Sequence, residues 1–101
     1  MTMIVITGLI KTDSETFPAL LARLKSLCGP SRAEDGCLFY HMGVEDEAFC
    51  AIMAMEGWRD RAALDAHLAL PAIAGLLAEF GGRYTVDVSI HSVEASEKFI
   101  L

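Results

Sequence analysis

Residues 56–71 read EGWRDRAALDAHLALP, and this is the most informative stretch of the chain. It begins at the end of an apolar strand, turns at Gly57 and enters a short helix that Pro71 ends. Trp58 and His67 both carry ring N–H groups that can hydrogen-bond, and both lie beside apolar neighbours. The stretch therefore predicts a strand–helix junction that brings polar ring groups to an apolar interior.

The whole chain has the composition of one small and unusually apolar domain. Its 101 residues are 53% hydrophobic, and its mean hydropathy is +0.41. A domain of this size buries roughly 60–70% of the surface that its unfolded chain exposes. We expect a single domain over residues 1–101 in which a second subunit or an internal cavity covers the apolar excess.

Charge and segment patterns exclude several classes of partner. The net charge is −6 and the isoelectric point is about 4.8, which disfavours nucleic acid and anionic membrane surfaces. No apolar run approaches the ~20 residues of a membrane span, and the N-terminus lacks a basic leader pattern. Cys28, Cys37 and Cys50 are expected to be small buried side chains in a reducing compartment, so we expect a cytoplasmic protein.

Hydrophobic periodicity predicts four strands and three helical pieces. The strands are 3–10, 37–44, 48–58 and 84–93, and the helical pieces end at Cys28, Leu70 and Phe80. Asp13 or Ser14 is expected to cap the first helix and Asp60 the second. Gly29-Pro30 is expected to stop or kink the first helix.

The order of these elements is β-α-β-β-α-β, which is the ferredoxin-like α+β unit. Right-handed crossovers place the helices on one face of a four-stranded antiparallel sheet. The other face is also apolar, because strands 3–10 and 48–58 carry apolar residues on both sides. Packing two such sheets face to face would cover these residues, so the sequence predicts a homodimer.

Three short motifs resemble one family. They are Gly36-Cys37-Leu38-Phe39-Tyr40, Glu56-x-Trp58 and Ala63-Leu64-Asp65-Ala66-His67-Leu68. The chain is similar to antibiotic biosynthesis monooxygenase-like proteins, which are dimeric α+β barrels. This resemblance implies oxygenation of a small aromatic phenol or quinol, with dioxygen as co-substrate and without metal or flavin.

Trp58 and His67 are the predicted catalytic residues. Trp58 could stack on a flat substrate or plug the end of the core, and His67 could act as a general base or bond to a backbone carbonyl. The resemblance implies the catalytic alternatives, because the matching Trp lines the cavity and many relatives keep a His facing it. The predicted substrate-binding residues are Tyr40, His41, Glu56, Leu64 and Phe80.

The roles of the polar members of this set stay open. Tyr40 and His41 point to opposite faces of one strand, so one faces the helices and the other the partner sheet. Glu56 shares a face with Trp58, where its carboxylate could orient a His, abstract a proton or pair with an Arg.

The chain also departs from the family pattern. Ala54 and Leu64 stand where an oxygenase branch has Asn and Tyr, Ala72 follows Pro71 where many relatives have His, and residues 73–80 lack the His of haem-degrading members. Haem degradation is therefore excluded. Three functions remain: a cofactor-independent monooxygenase, a non-oxidative, isomerase-like enzyme with His67 as base, and a dimeric module that binds an apolar ligand without chemistry.

Overall fold

The computed structural model describes residues 2–101, so Met1, the first residue of the predicted domain, lies outside the described part. Seven elements follow in the order β-α-β-β-α-α-β. They are β1 (Met3–Thr12), α1 (Phe17–Arg32), β2 (Cys37–Asp46), β3 (Ala51–Trp58), α2 (Arg61–Leu68), α3 (Pro71–Phe80) and β4 (Tyr84–Val93).

The four strands form one antiparallel sheet in the order β2-β3-β1-β4. Ile4 pairs with Trp58, and Tyr40 pairs with Glu56 on the neighbouring strand. This is the ferredoxin-like arrangement, and the predicted fold class is confirmed, with the second helical region divided into α2 and α3 at Pro71.

The helices cover one face of the sheet and bury two separate apolar clusters there. The first, called the main core, joins α1 and α3 to the sheet and contains Ile10, Phe17, Leu20, Leu24, Leu27, Cys50, Ile52, Ala54, Leu76 and Phe80. The second, called the tryptophan cluster, joins α2 and the end of α1 to the sheet and contains Ile4, Ile6, Cys28, Tyr40, Trp58, Ala63 and Leu64. Met42 packs against both clusters.

The other face of the sheet carries a row of apolar side chains that no helix covers. Met53 and Met55 on β3 are 45% and 38% exposed. The alternation of a strand places Val5, Leu9 and Phe39 on the same face through their pairing with β3. We call these five residues the open-face patch.

Several predicted boundaries are wrong, most of all the end of α1 and the start of β3. α1 continues through Gly29-Pro30 to Arg32, because a proline this close to the end of a helix removes only one late hydrogen bond, and the Ala33 N–H still bonds to the carbonyls of Gly29 and Pro30. β3 begins at Ala51 rather than residue 48. The preceding turn is closed by the Cys50 N–H on the Glu47 carbonyl, and Cys50 has a positive φ of 52°.

The helix caps follow the predictions in part. Asp60 caps α2, since its Oδ1 accepts the Ala63 N–H at 2.9 Å. α1 begins later than Asp13 or Ser14, at Phe17, and Asp13 accepts the Thr16 N–H at 2.7 Å in the turn before it.

Among residues 2–101 no single helix is long and apolar enough to cross a membrane; α2 and α3 reach the required length and composition only as a pair bent by 54°.

Candidate functional site

Trp58 lies at the end of β3, where the strand meets α2. Its side chain is 0% exposed, and its Nε1 donates to Glu56 Oε1 at 3.0 Å. The two residues share a face because side chains two apart on a strand point the same way. The end of β3 therefore presents a tryptophan and a carboxylate together toward α2.

His67 comes to the same place from α2. Leu64 and His67 are three residues apart and both point inward, as expected for neighbours on one face of a helix. His67 is 2% exposed, and its ring lies 4.7 Å from the Trp58 ring, centroid to centroid, with 35° between the planes. Its Nδ1 is 2.8 Å from Glu34 Oε2 in the turn after α1.

Tyr40 closes the group from β2. It is buried opposite Glu56, and its ring meets the His67 ring edge-on at 5.4 Å and the Trp58 ring at 6.4 Å. Burial raises the pKa of the Tyr40 phenol well above its ordinary value, and the charge of Glu56 adds to this. The phenol therefore stays neutral and keeps its O–H at neutral pH.

Burial also dominates the acid–base behaviour of the carboxylate in this group. It raises the pKa of Glu56, and Glu34 adds to this effect, while the Trp58 hydrogen bond and His67 oppose it. The Cys37 thiol, at the start of β2, likewise has a raised pKa, chiefly because of burial and then because of Glu34. The surroundings of the His67 ring are therefore apolar and acidic.

The structure brings together five of the seven predicted site residues: Tyr40, Glu56, Trp58, Leu64 and His67. His41 lies on the opposite face of the sheet, where it stacks on Phe39 at 6.2 Å and Arg32 Nη2 approaches its Nδ1 at 3.4 Å. Phe80 lies in the main core. Tyr40 rather than His41 is thus the β2 residue that faces the helices.

An open depression lies on the surface next to this group, and Trp58, Tyr40, Glu56 and His67 do not line it. Its volume is about 410 Å³, and it is lined by Glu34, Asp35, Arg59, Ala62, Ala63, Ala66 and Leu70. Arg59 forms exposed ion pairs with Asp35 at 3.2 Å and Asp60 at 3.6 Å, so two carboxylates lie against its guanidinium group. Glu34 both lines the depression and contacts His67.

Sequence reasoning missed Glu34. It lies 33 residues before His67, in a turn between α1 and β2, and nothing in its local pattern marks it. Only the packing of α2 against the end of α1 brings the two side chains into contact.

Within the described part of the chain, no group of three or more His, Cys, Asp or Glu side chains is placed to hold a metal ion.

Comparison with known proteins identifies the family. The family model described as antibiotic biosynthesis monooxygenase matches residues 3–77, which is more than half of the chain. The chain belongs to this family.

Three individual proteins illustrate what the chain is similar to. An uncharacterised protein of Synechocystis sp. is 38% identical over 71 residues, and the match spans 67% of this chain but only 46% of that protein. Protein Rv0793 of Mycobacterium tuberculosis is 28% identical, with a TM-score of 0.75 over 97% of this chain and 98% of the other. A provisionally assigned antibiotic biosynthesis monooxygenase of Deinococcus radiodurans is 25% identical, with a TM-score of 0.79 over 97% of each chain.

Proposed function

We propose that this protein is a cofactor-independent monooxygenase that oxidises a small aromatic phenol or quinol with dioxygen. One observation carries the proposal: a histidine that is 2% exposed packs at 4.7 Å on a tryptophan that is 0% exposed, beside a surface depression. A general base in a dry aromatic setting is what deprotonation of a phenol requires. Family membership supports the same reaction class.

The chemistry needs a base, an aromatic contact and exclusion of water. His67 takes the proton of the substrate hydroxyl, and the electron pair stays on the substrate oxygen. The resulting phenolate reduces dioxygen. One oxygen atom bonds to a ring carbon, and the other leaves as water with the hydrogen of that carbon and one further proton, so phenol and dioxygen give quinone and water. Trp58 and Leu64 supply the apolar contact with the ring.

The open-face patch supports a homodimer in which two sheets pack face to face. Apolar side chains at the centre of a sheet face are costly to leave in water, and a second copy covers them symmetrically. Light scattering on the purified protein should give twice the chain mass. Replacing Met53 and Met55 by Lys should yield monomers, whereas Leu38→Lys, at an exposed site outside the patch, should not. A monomeric wild type would contradict this arrangement.

We also propose that the protein is cytoplasmic. Its three cysteines are free thiols, two of them buried and one partly buried, which is typical of a reducing compartment. Small phenols or quinols and dioxygen are its proposed reactants, and no resident metal or flavin is proposed.

A second candidate is a dimeric module that binds an apolar ligand without chemistry. The observation that favours it is the filled interior of the tryptophan cluster, where Trp58, Leu64 and His67 are all fully buried. A substrate that reaches His67 must displace side chains at the depression, whereas a ligand held in the depression need displace none.

Oxygen consumption separates the two candidates. The wild type is supplied with a panel of benzene and naphthalene quinols under isotopically labelled dioxygen, with chelator and without added flavin. The proposal expects oxygen uptake and one labelled oxygen atom in the product. His67→Ala should lower turnover by about 10²-fold or more, because general-base catalysis contributes this much. Glu47→Gln, in the exposed turn between β2 and β3 at the far end of the sheet, is the control.

Binding is measured on the same samples. Trp58 is the sole tryptophan, so its fluorescence reports a ligand at this site. Quenching by a quinol with neither oxygen uptake nor product would support the binding module and overturn the monooxygenase. Product formation without oxygen uptake would point to a non-oxidative enzyme.

A further inference from the structure

We infer that Glu34 is the positioning residue for His67: it holds the imidazole proton on Nδ1 and leaves Nε2 as the atom that accepts the substrate proton. The contact between Glu34 Oε2 and His67 Nδ1 is 2.8 Å, the length of a strong charge-assisted hydrogen bond. An ionised carboxylate can only accept, so in the neutral ring the shared hydrogen belongs to Nδ1. The catalytic consequence rests on the proposed function, but the tautomer assignment does not.

Burial makes this contact decisive for the ring. His67 is 2% exposed, so water has little access to its ring, whereas the Glu34 side chain is 21% exposed and lines the depression. Within residues 2–101 the one side chain that hydrogen-bonds to the His67 ring is Glu34. The contact with Glu34 therefore determines which ring nitrogen of His67 carries the hydrogen.

The backbone around Glu34 is rigid enough to aim its carboxylate. The Glu34 N–H donates to the Ser31 carbonyl at 3.1 Å, and the Glu34 carbonyl accepts the Cys37 N–H at 3.1 Å. The neighbouring Gly36 has φ +84°, and its carbonyl accepts the Arg59 N–H at 2.7 Å. Backbone hydrogen bonds thus connect the turn to α1, to β2 and to the junction between β3 and α2, and they fix where the Glu34 side chain starts.

Besides Glu34, the ionisable groups near the His67 ring are Tyr40, Glu56, Cys28 and Cys37. None of them forms a hydrogen bond with the ring. Glu56 accepts from Trp58 Nε1 at 3.0 Å, and the Cys28 thiol donates to the Leu24 carbonyl. Glu34 is left as the partner of His67, and Glu56 contributes charge without a hydrogen bond.

During a turnover, Glu34 stabilises the protonated ring of His67. The hydroxyl proton of the substrate moves to Nε2, the electron pair remains on the substrate oxygen, and the imidazolium formed is stabilised by its Nδ1–H bond to the Glu34 carboxylate. The proton on Nδ1 does not move. With the opposite tautomer, Nε2 would carry a hydrogen and could not accept.

Heteronuclear NMR of the His67 ring tests the assignment without any substrate. At a pH where the ring is neutral, the wild type should show a protonated Nδ1 and an unprotonated Nε2. Glu34→Leu, which removes the acceptor, should shift the ring to the Nε2–H tautomer, whereas Glu34→Gln can still accept through its amide oxygen and should keep Nδ1–H. Glu47→Gln, in an exposed turn far from the site, is the charge-matched control and should change nothing.

Kinetics give the second readout. Glu34→Leu should lower kcat/KM by about 10²-fold, in line with the loss of a correctly protonated base. Glu34→Gln should lose less, and the acid limb of its pH profile should move to lower pH, because the imidazolium no longer faces a charge. A side chain with a merely structural role would not move that limb.

The outcomes are separable. An Nε2–H ring in the wild type, or an Nδ1–H ring that persists in folded Glu34→Leu, overturns the inference whatever the activity. The expected tautomers in a protein that consumes no oxygen support the positioning role and count against the monooxygenase alone. If Glu34→Leu fails to fold, Glu34→Gln remains: an unchanged pH profile in an active Gln variant would refute the role of the charge.

Discussion

Replacing Trp58 by Phe tests the pairing at the centre of the site. The substitution keeps a buried aromatic ring but removes the Nε1–H that donates to Glu56 at 3.0 Å. It leaves a carboxylate that is 9% exposed without its donor. We expect a loss of stability well beyond that of a smaller ring, because an unpaired buried acceptor costs its full desolvation penalty.

The magnitude follows from two contributions. Removing roughly 40 Å² of buried apolar surface at about 25 cal/mol per Å² costs about 1 kcal/mol. Losing a hydrogen bond to a charged group costs about 1.5–3 kcal/mol. The sum is about 3 kcal/mol, which corresponds to a fall in Tm of roughly 10–20 °C for a domain of this size.

The assay is urea unfolding followed by circular dichroism, at one fixed protein concentration because any dimer makes stability concentration-dependent. A double-mutant cycle with Glu56→Leu isolates the pair. Since the double variant contains no orphaned carboxylate, it should be more stable than Trp58→Phe alone. The reasoning is refuted if Trp58→Phe costs less than about 1 kcal/mol, or if adding Glu56→Leu to it restores nothing.

Three further outcomes follow from single positions. Gly8→Ala places a Cβ against the Asp87 carbonyl oxygen of β4 and should destabilise by more than about 2 kcal/mol, whereas Gly43→Ala meets open space and should be neutral or slightly stabilising in the same denaturation series. Burial raises the pKa of Glu56, so the folded protein holds its proton to higher pH than the unfolded chain. The stability contribution is therefore lost as pH rises through the folded-state pKa, and Glu56→Gln should flatten that decline in Tm measured against pH. Asp60→Ala removes the bond to the Ala63 N–H and should cost about 1 kcal/mol, and a cost near zero by chemical denaturation would contradict the cap.

Features that depend on neighbouring residues were predictable from the sequence. Alternating apolar residues identified the strands, Asp60 identified the start of α2, and Pro71 identified the break before α3. Trp58 and Glu56 were placed on one face because strand geometry fixes it. Each of these predictions needed only a short window of chain.

Features that depend on contacts across the fold were not predictable in this way. The three-and-four spacing of α3 showed that Phe80 points inward but not which of the two clusters receives it, and it lies in the main core. The side of the sheet taken by His41 required the handedness of the whole sheet. Glu34 required the packing of α2 against the end of α1. The end of α1 was predicted too early, because the rule for proline in helices weakens near a C-terminus.

The division of the interior into two clusters bears on how such a protein diversifies. The main core joins α1 and α3 to the sheet, while the ring groups of the candidate site lie in the tryptophan cluster under α2. The two clusters meet at Met42, and α1 contributes Leu24 to one and Cys28 to the other. Substitutions in the tryptophan cluster could therefore change the reactant that related proteins accept, while the main core keeps the chain folded.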